Sequence, residues 1–334
     1  MYELLGICLV LAALLTINAL ASLATAAVWR LLERFAPGCS PRSRVDILFA
    51  MRVGPPVLAM IAVSLFLVPS YLNYEPYSTP EVVSKKLASL ALVSGLGVVL
   101  ALWRCARSWW ATHSLLREWL VIAHRIKLDG IDIPAFRMPH AFPIIAVVGA
   151  MRPRLFIAER VMQSLTQEEL AAAIAHECGH LAARDNFKRL LLRMCRDLLM
   201  IVPCGRSLDR AWAEAAESAA DEHAAQQNGD TALNLAAALI KIAKMIPVGS
   251  RAVMPIAAFL VGGEETRGVK ARVRRLVEIA SDGSGARVHQ NTMIRISLAL
   301  SFALVIIFGA VVANSPHVLI TVHALIEHAV KLLS

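Results

Sequence analysis

The sequence predicts a mainly α membrane protein: four transmembrane helices, with a cytoplasmic α+β domain inserted between helices three and four. Three observations lead there. The 334-residue chain is 57% hydrophobic with a mean hydropathy of +0.59, against roughly 45–50% apolar residues in an ordinary soluble protein. The excess sits in uncharged runs at about 4–29, 53–74, 87–103 and 296–316. Each is long enough to cross a hydrocarbon core, the third being the shortest. Between the third and fourth runs lies a long segment, 104–294, that holds most of the 34 Lys and Arg residues and reads as a folded domain outside the bilayer.

These runs divide the chain into a membrane domain (1–103), an inserted domain (104–294), and a last span with a short tail (295–334). The first run is longer than a signal-peptide core, follows no basic segment and shows no cleavage site, so it reads as a span. Arg30, Arg34, Arg42, Arg44 and Arg52 lie between the first two runs, only Lys85 and Lys86 between the next two, and Lys331 alone after the last. The positive-inside rule then places both termini outside and the inserted domain inside, in the cytoplasm at a bacterial inner membrane. The net charge of +9 fits a cationic domain against an anionic leaflet. No nucleic-acid-binding signature accompanies it, so no direct nucleic acid binding is expected. The six cysteines form no CxxC pair, which excludes a disulfide framework.

Within the inserted domain, 104–127 reads as a helix leaving the membrane with its Trp residues near the headgroups. Residues 143–148 and 155–158 read as two short strands joined by "GAMRPR". "SLTQEELAAAIAHECGHLAA" starts a helix, with Ser164 or Thr166 as N-cap and Gln167 or Glu169 three residues on; it is expected to run well past His180. Residues 187–202, interrupted by Lys188, Arg189, Arg193, Arg196 and Asp197, read as an amphipathic helix and not a span. Helices are expected at 207–227 and 231–246. A basic helix at 266–283 presents arginines expected to form a solvated or lipid-facing surface, and the tail 315–334 reads as an interfacial helix.

The chemistry is concentrated in "HECGH". On a helix, His176 and His180 stand on one face a turn apart and can offer two imidazoles to one metal ion. Glu177 is offset so that its carboxylate can reach a metal-bound water as a general base. A catalytic Zn2+ needs a third protein ligand and an open position. Glu217, in "AESAAD", is assigned that role, with Glu214 and Glu222 as rival carboxylates. Asp221, one turn on, is assigned to fix one histidine ring from outside, and Asp185 to cap or buttress the motif helix. His223 and Arg184 are candidates for oxyanion stabilisation. Cys178 reads as a small packed residue. The strand-like run 143–148 offers an edge along which an extended peptide could pair. The chemistry this implies is peptide-bond hydrolysis by a metal-activated water, with one zinc ion per chain.

"LTQEELAAAIAHECGHLAARDN", the helix ending at Pro203, the later "E-x-x-A-D" and "VKARVRRLVE" before a last span resemble the BlaR/MecR family of membrane metallopeptidases over about residues 1–315. The resemblance implies a gluzincin-like zinc protease domain that cleaves itself or a transcriptional repressor. Two departures stand out. Ala220 replaces the Cys that often precedes the outer Asp, and the short tail leaves no room for an extracellular penicillin-binding sensor. "HECGHLAARD" and "E-S-A-A-D" are equally similar to HtpX or CAAX-endopeptidase proteases, which implies protein quality control or processing. An inactive membrane scaffold is the remaining alternative, opposed by the intact His176, Glu177, His180 and Glu217.

Overall fold

α1 (Tyr2–Phe35) and α2 (Pro41–Ala62) form an antiparallel helical pair. Ser40 caps α2 by accepting the Ser43 N–H at 3.3 Å, and Pro41 takes the first position, where its missing N–H costs nothing. The second span therefore belongs to a helix that begins well before the uncharged run and includes Arg44 and Arg52. It passes through a π-helical segment, Val63–Leu67, into α3 (Val68–Tyr74). The widened turn lies one turn before Pro69, where the proline ring would crowd the carbonyl of residue 65. α4 (Lys85–Ile122), capped by Ser84, is continuous; the third apolar run and the exit helix are one element, so residue 103 is not a break in structure. The computed structural model describes residues 2–35, 39–76, 83–128, 130–140, 142–197, 205–226, 230–246, 265–282 and 290–333.

α4 delivers the chain into the domain. Its last turn buries Trp119 edge-on against Phe156, with ring centroids 5.1 Å apart. The sheet contains β1 (His124–Ile126), β2 (Ala135–Met138), β3 (Ile145–Val148) and β4 (Arg154–Ala158) in the order β1-β2-β4-β3. The β2/β4 pair is parallel and the other two are antiparallel. β3 and β4 are the two strands expected from sequence, joined through Gly149 at φ 105. β1 and β2 are short and carry His124, Arg125 and Arg137, which hide them from an apolar-run reading.

α5 (Glu159–Ser164) leads to α6 (Gln167–Ala182), where Thr166 and Glu169 complete a capping box. α6 ends only two residues past His180, shorter than expected: Arg184 adopts φ 53 and α7 (Asp185–Asp197) starts at once. α8 (Gly205–Ala225) crosses α6, and α9 (Thr231–Met245) and α10 (Glu265–Asp282) close the domain. Its core joins β3, β4, α6 and α9, with Leu276 of α10 fully buried. A second cluster, Trp29, Leu48, Leu192 and Trp212, packs the domain onto α1 and α2.

Among the described residues three helices are long and apolar enough to cross a membrane; the fourth run appears as α11 (Gln290–Ala313), which turns by 89° into α12 (Pro316–Leu333). α12 is more than an interfacial helix. Ile326 is buried with Leu5, Tyr71 and Leu87, and Ser70 donates to the Leu319 carbonyl at 2.7 Å. The end of the bundle formed by the N-terminus and α12 is thus opposite the end that carries the domain.

Candidate metal centre

α6 places His176 and His180 one turn apart with ring centroids 4.8 Å apart. Both are buried, His176 completely. α8 brings Glu217 opposite them: Oε2 lies 3.6 Å from His176 Nε2 and Oε1 lies 3.5 Å from His180 Nε2. The ligand atoms of these three residues all lie within 4.8 Å of one another. The close approach of α6 and α8 depends on Gly179 and Ala220; a Cβ at Gly179 would stand 3.1 Å from the Ala220 Cα.

The outer nitrogens are held by carboxylates. Asp221 Oδ1 lies 2.9 Å from His176 Nδ1, and Asp185 Oδ2 lies 2.7 Å from His180 Nδ1. The abrupt end of α6 makes the second contact, because the turn at Arg184 brings Asp185 back to the ring. Such contacts fix imidazole orientation and leave Nε2 for an ion. His180 Nε2 and Glu217 Oε2 are buried and make no hydrogen bond among the described residues, although the Arg272 guanidinium stands 3.0 Å from that oxygen as an ion pair. Two converging acceptors left this way, together with the third ligand atom, fit one small cation.

Arg272 of α10 completes the cluster, contrary to the expectation of a solvated basic helix. Its Nε and Nη2 donate to Asp221 at 2.9 and 2.6 Å, and Nη1 lies 3.0 Å from Glu217 Oε2. The next turn adds Arg275 to Glu222 at 2.6 Å. Of Arg272, Arg274 and Arg275, it is Arg274 that is solvated, beside Glu278. The signal in sequence was the one-turn spacing of Glu217 and Asp221, which presents two carboxylates that a single guanidinium can bridge.

Burial would lower the His176 imidazole, but hydrogen bonds with Asp221 and Glu217 outweigh it and raise its pKa to about 9. An ion binding that ring must therefore displace a proton. Burial would raise Glu217 and Asp221, yet Arg272 and the histidines hold both carboxyls well below the usual range. Four carboxylates (Glu177, Asp185, Glu217, Asp221) stand at the cluster against two guanidiniums, Arg272 and Arg189, the latter 3.5 Å from Glu217 Oε1, a balance that favours a cation.

Glu177 is buried, and its Oε2 accepts the Val147 N–H of β3 at 3.0 Å. Asn186 donates to the Val147 carbonyl at 2.8 Å. β3 is an edge strand, but at Val147 both outward backbone groups are already engaged, so a peptide pairing there would have to replace these contacts. The remaining residues singled out from sequence take varied positions. Arg184 is exposed at the helix break, and His223 packs against Gly179. Glu214 is exposed, Glu222 is tied to Arg275, and Cys178 is half-buried.

Two imidazoles and a carboxylate from crossing helices, with a further carboxylate beside them, form a group that could hold a metal ion. Residues 139–303, from just before β3 into α11, match Peptidase family M48. The match indicates a metallopeptidase hydrolase of the membrane type, and the apolar helices indicate a membrane protein. It carries no repressor-specific feature, so the BlaR/MecR resemblance is a finer reading than the match supports. No curated protein matches the chain.

Proposed function

We propose that this chain is a membrane-bound zinc endopeptidase, with His176, His180 and Glu217 as ligands and Glu177 as general base. The carrying observation is the convergence of three ligand atoms within 4.8 Å on two helices, one of them the HExxH helix. When bound, zinc activates water and polarises a carbonyl. Asp221 and Asp185 hold the two rings so that Nε2 of each faces the centre. Glu177 takes a proton on its carboxylate and delivers it to the leaving amine. The Val147 N–H fixes that carboxylate beside the ligands.

The active domain lies at the cytoplasmic face of a bacterial inner membrane, with both chain termini on the other side. Two features support this reading: the basic first loop, and the packing of α12 with the N-terminal end of α1, opposite the domain. The substrate is a protein, cut in regulated proteolysis, with self-cleavage or cleavage of a transcriptional repressor as the BlaR/MecR resemblance implies. Quality control of membrane proteins, as in the HtpX resemblance, would use the same residues but predicts broad cleavage of misfolded proteins instead of one preferred site.

Purified protein is expected to hold about one zinc per chain. Glu177→Gln is expected to keep the metal and lose cleavage of a model substrate. Equal cleavage by that variant would refute the mechanism. Metal loss in Glu214→Ala but not in Glu217→Ala would move the third ligand.

A further inference from the structure

Beside the metal centre, α4, α7 and the β3–β4 turn enclose a cavity of about 540 Å3, within the range of about 300–1,000 Å3 usual for ligand sites. Its charge is one-sided. Arg117, Arg152, Arg154, Arg189, Arg193 and His113 line it, and among the described residues no carboxylate does. Arg193 is held by Ser108 at 2.6 Å and Arg189 lies 3.5 Å from Glu217 Oε1. Arg117 and Arg152 are exposed, and Arg154 is half-buried. Arg189 is offset by Glu217, but Arg117, Arg152 and Arg154 bring like charge to one concave volume, which an anionic guest would stabilise; arginine forks match carboxylates in geometry as well as charge.

The cavity is continuous with the catalytic centre at two points. Arg189 reaches the ligand Glu217. Asn186, also in the wall, donates to the carbonyl of Val147, whose N–H holds Glu177. The opposite wall, Gly149 to Arg154, is the direct extension of the edge strand β3. A chain that replaces these two contacts at Val147 and continues along the edge of β3 reaches the residues that line this cavity. Gly149 sets the shape of that wall, since at φ 105 a Cβ would lie 2.7 Å from the Arg152 carbonyl oxygen.

We infer that the cavity is a specificity site for acidic peptide segments: Asp or Glu side chains flanking the scissile bond are bound by Arg117, Arg152 and Arg154. This rests on the peptidase reading above and names its substrate class. An anionic lipid headgroup has the same charge, but the wall formed by the β3–β4 turn and the continuity with Glu177 and Glu217 favour a peptide.

The test uses the full chain in nanodiscs of neutral phosphatidylcholine, with internally quenched peptides that differ only in carrying Glu or Gln pairs on either side of the scissile bond. The acidic peptide is expected to show kcat/KM about tenfold or more above its Gln counterpart, from two or more charge-assisted hydrogen bonds. In Arg117→Gln/Arg152→Gln the ratio falls towards one, and Arg152→Glu shifts preference to a Lys-bearing peptide. In parallel, Glu177→Gln protein is titrated with the fluorescent acidic peptide. Binding should weaken with added salt and by about tenfold in the arginine variants. An unchanged cleavage ratio with unchanged binding overturns the inference. So does an arginine effect that appears only in discs containing phosphatidylglycerol, which would make the cavity a lipid site. If no peptide is cut in a Glu177-dependent way, the peptidase reading fails while the binding titration still decides the anion site.

Discussion

Arg272 carries a prediction that separates a structural ion pair from a bystander. It joins α10 to α8 through two hydrogen bonds to Asp221 at 2.9 and 2.6 Å, and Asp221 is almost fully buried, at 2% side-chain exposure. At an effective dielectric constant of about 20, opposite charges about 4 Å apart attract by roughly 4 kcal/mol. Removing one member of a buried pair costs about 3–5 kcal/mol, because the other charge stays desolvated. Arg272→Met and Asp221→Asn should each lower the melting temperature of the detergent-solubilised protein, by an amount on the order of 10 °C. The double variant Arg272→Met/Asp221→Asn removes both members of the pair, while Glu217 loses its guanidinium equally in the single and double Arg272 variants, so the combined loss should fall short of the sum of the singles by about 2 kcal/mol. Metal is removed with a chelator beforehand, so that the cycle reports the pair and not ion binding. Losses that add to within about 0.5 kcal/mol would show that the guanidinium and carboxylate do not act as a unit.

Gly179→Ala should force α8 away from α6 by a few tenths of an ångström, since the new Cβ would meet Ala220 Cα at 3.1 Å; zinc affinity by competition with a chromophoric chelator should fall about tenfold with helicity unchanged. Glu169 accepts from Lys241 at 2.7 Å and from the Thr166 N–H at 2.9 Å, which against the cost of burial keeps its carboxyl below the ordinary value. Its stabilisation is therefore complete above the unfolded pKa, about 4.3, and is lost as pH falls through the lower folded value. Lys241→Met should narrow the gap in thermal stability between pH 7 and pH 4. Arg52 is 2% exposed and donates to Asp209 at 2.9 Å. Asp209→Asn, which strands the buried cation, should cost about 3–5 kcal/mol, more than Arg52→Met, which leaves only a carboxylate that water can reach.

Much of the site was legible because its geometry is local. His176, Glu177 and His180 share one helical turn, and Glu217 and Asp221 share another, so periodicity alone puts each group on one face. The capping box was legible for the same reason, with Thr166 and Glu169 three residues apart. What escaped depends on the path of the chain between elements. Arg272 follows Asp221 by 51 residues, and no spacing rule relates them; only the return of α10 over α8 does. The end of α6 at Ala182 is set by a positive φ at Arg184, a residue type with no turn signature. β1 and β2 are too short, and too rich in His and Arg, to alternate visibly. The continuity of α4 was hidden because the uncharged stretch stops at Trp103 while the helix continues to Ile122.

α8 serves two masters on one rigid rod. At one end Asp209 is fastened to Arg52 of the second membrane helix, and about 12 and 18 Å along the axis Glu217 and Asp221 face the histidines. The other half of the ligand set belongs to α6, which is fastened to the sheet through Glu177 and Val147. The metal centre is therefore a seam between a membrane-anchored half and a sheet-anchored half. Asp209 and Glu217 share this helix, so the buried arginine of the second membrane helix and the candidate ligand are joined with no loop between them.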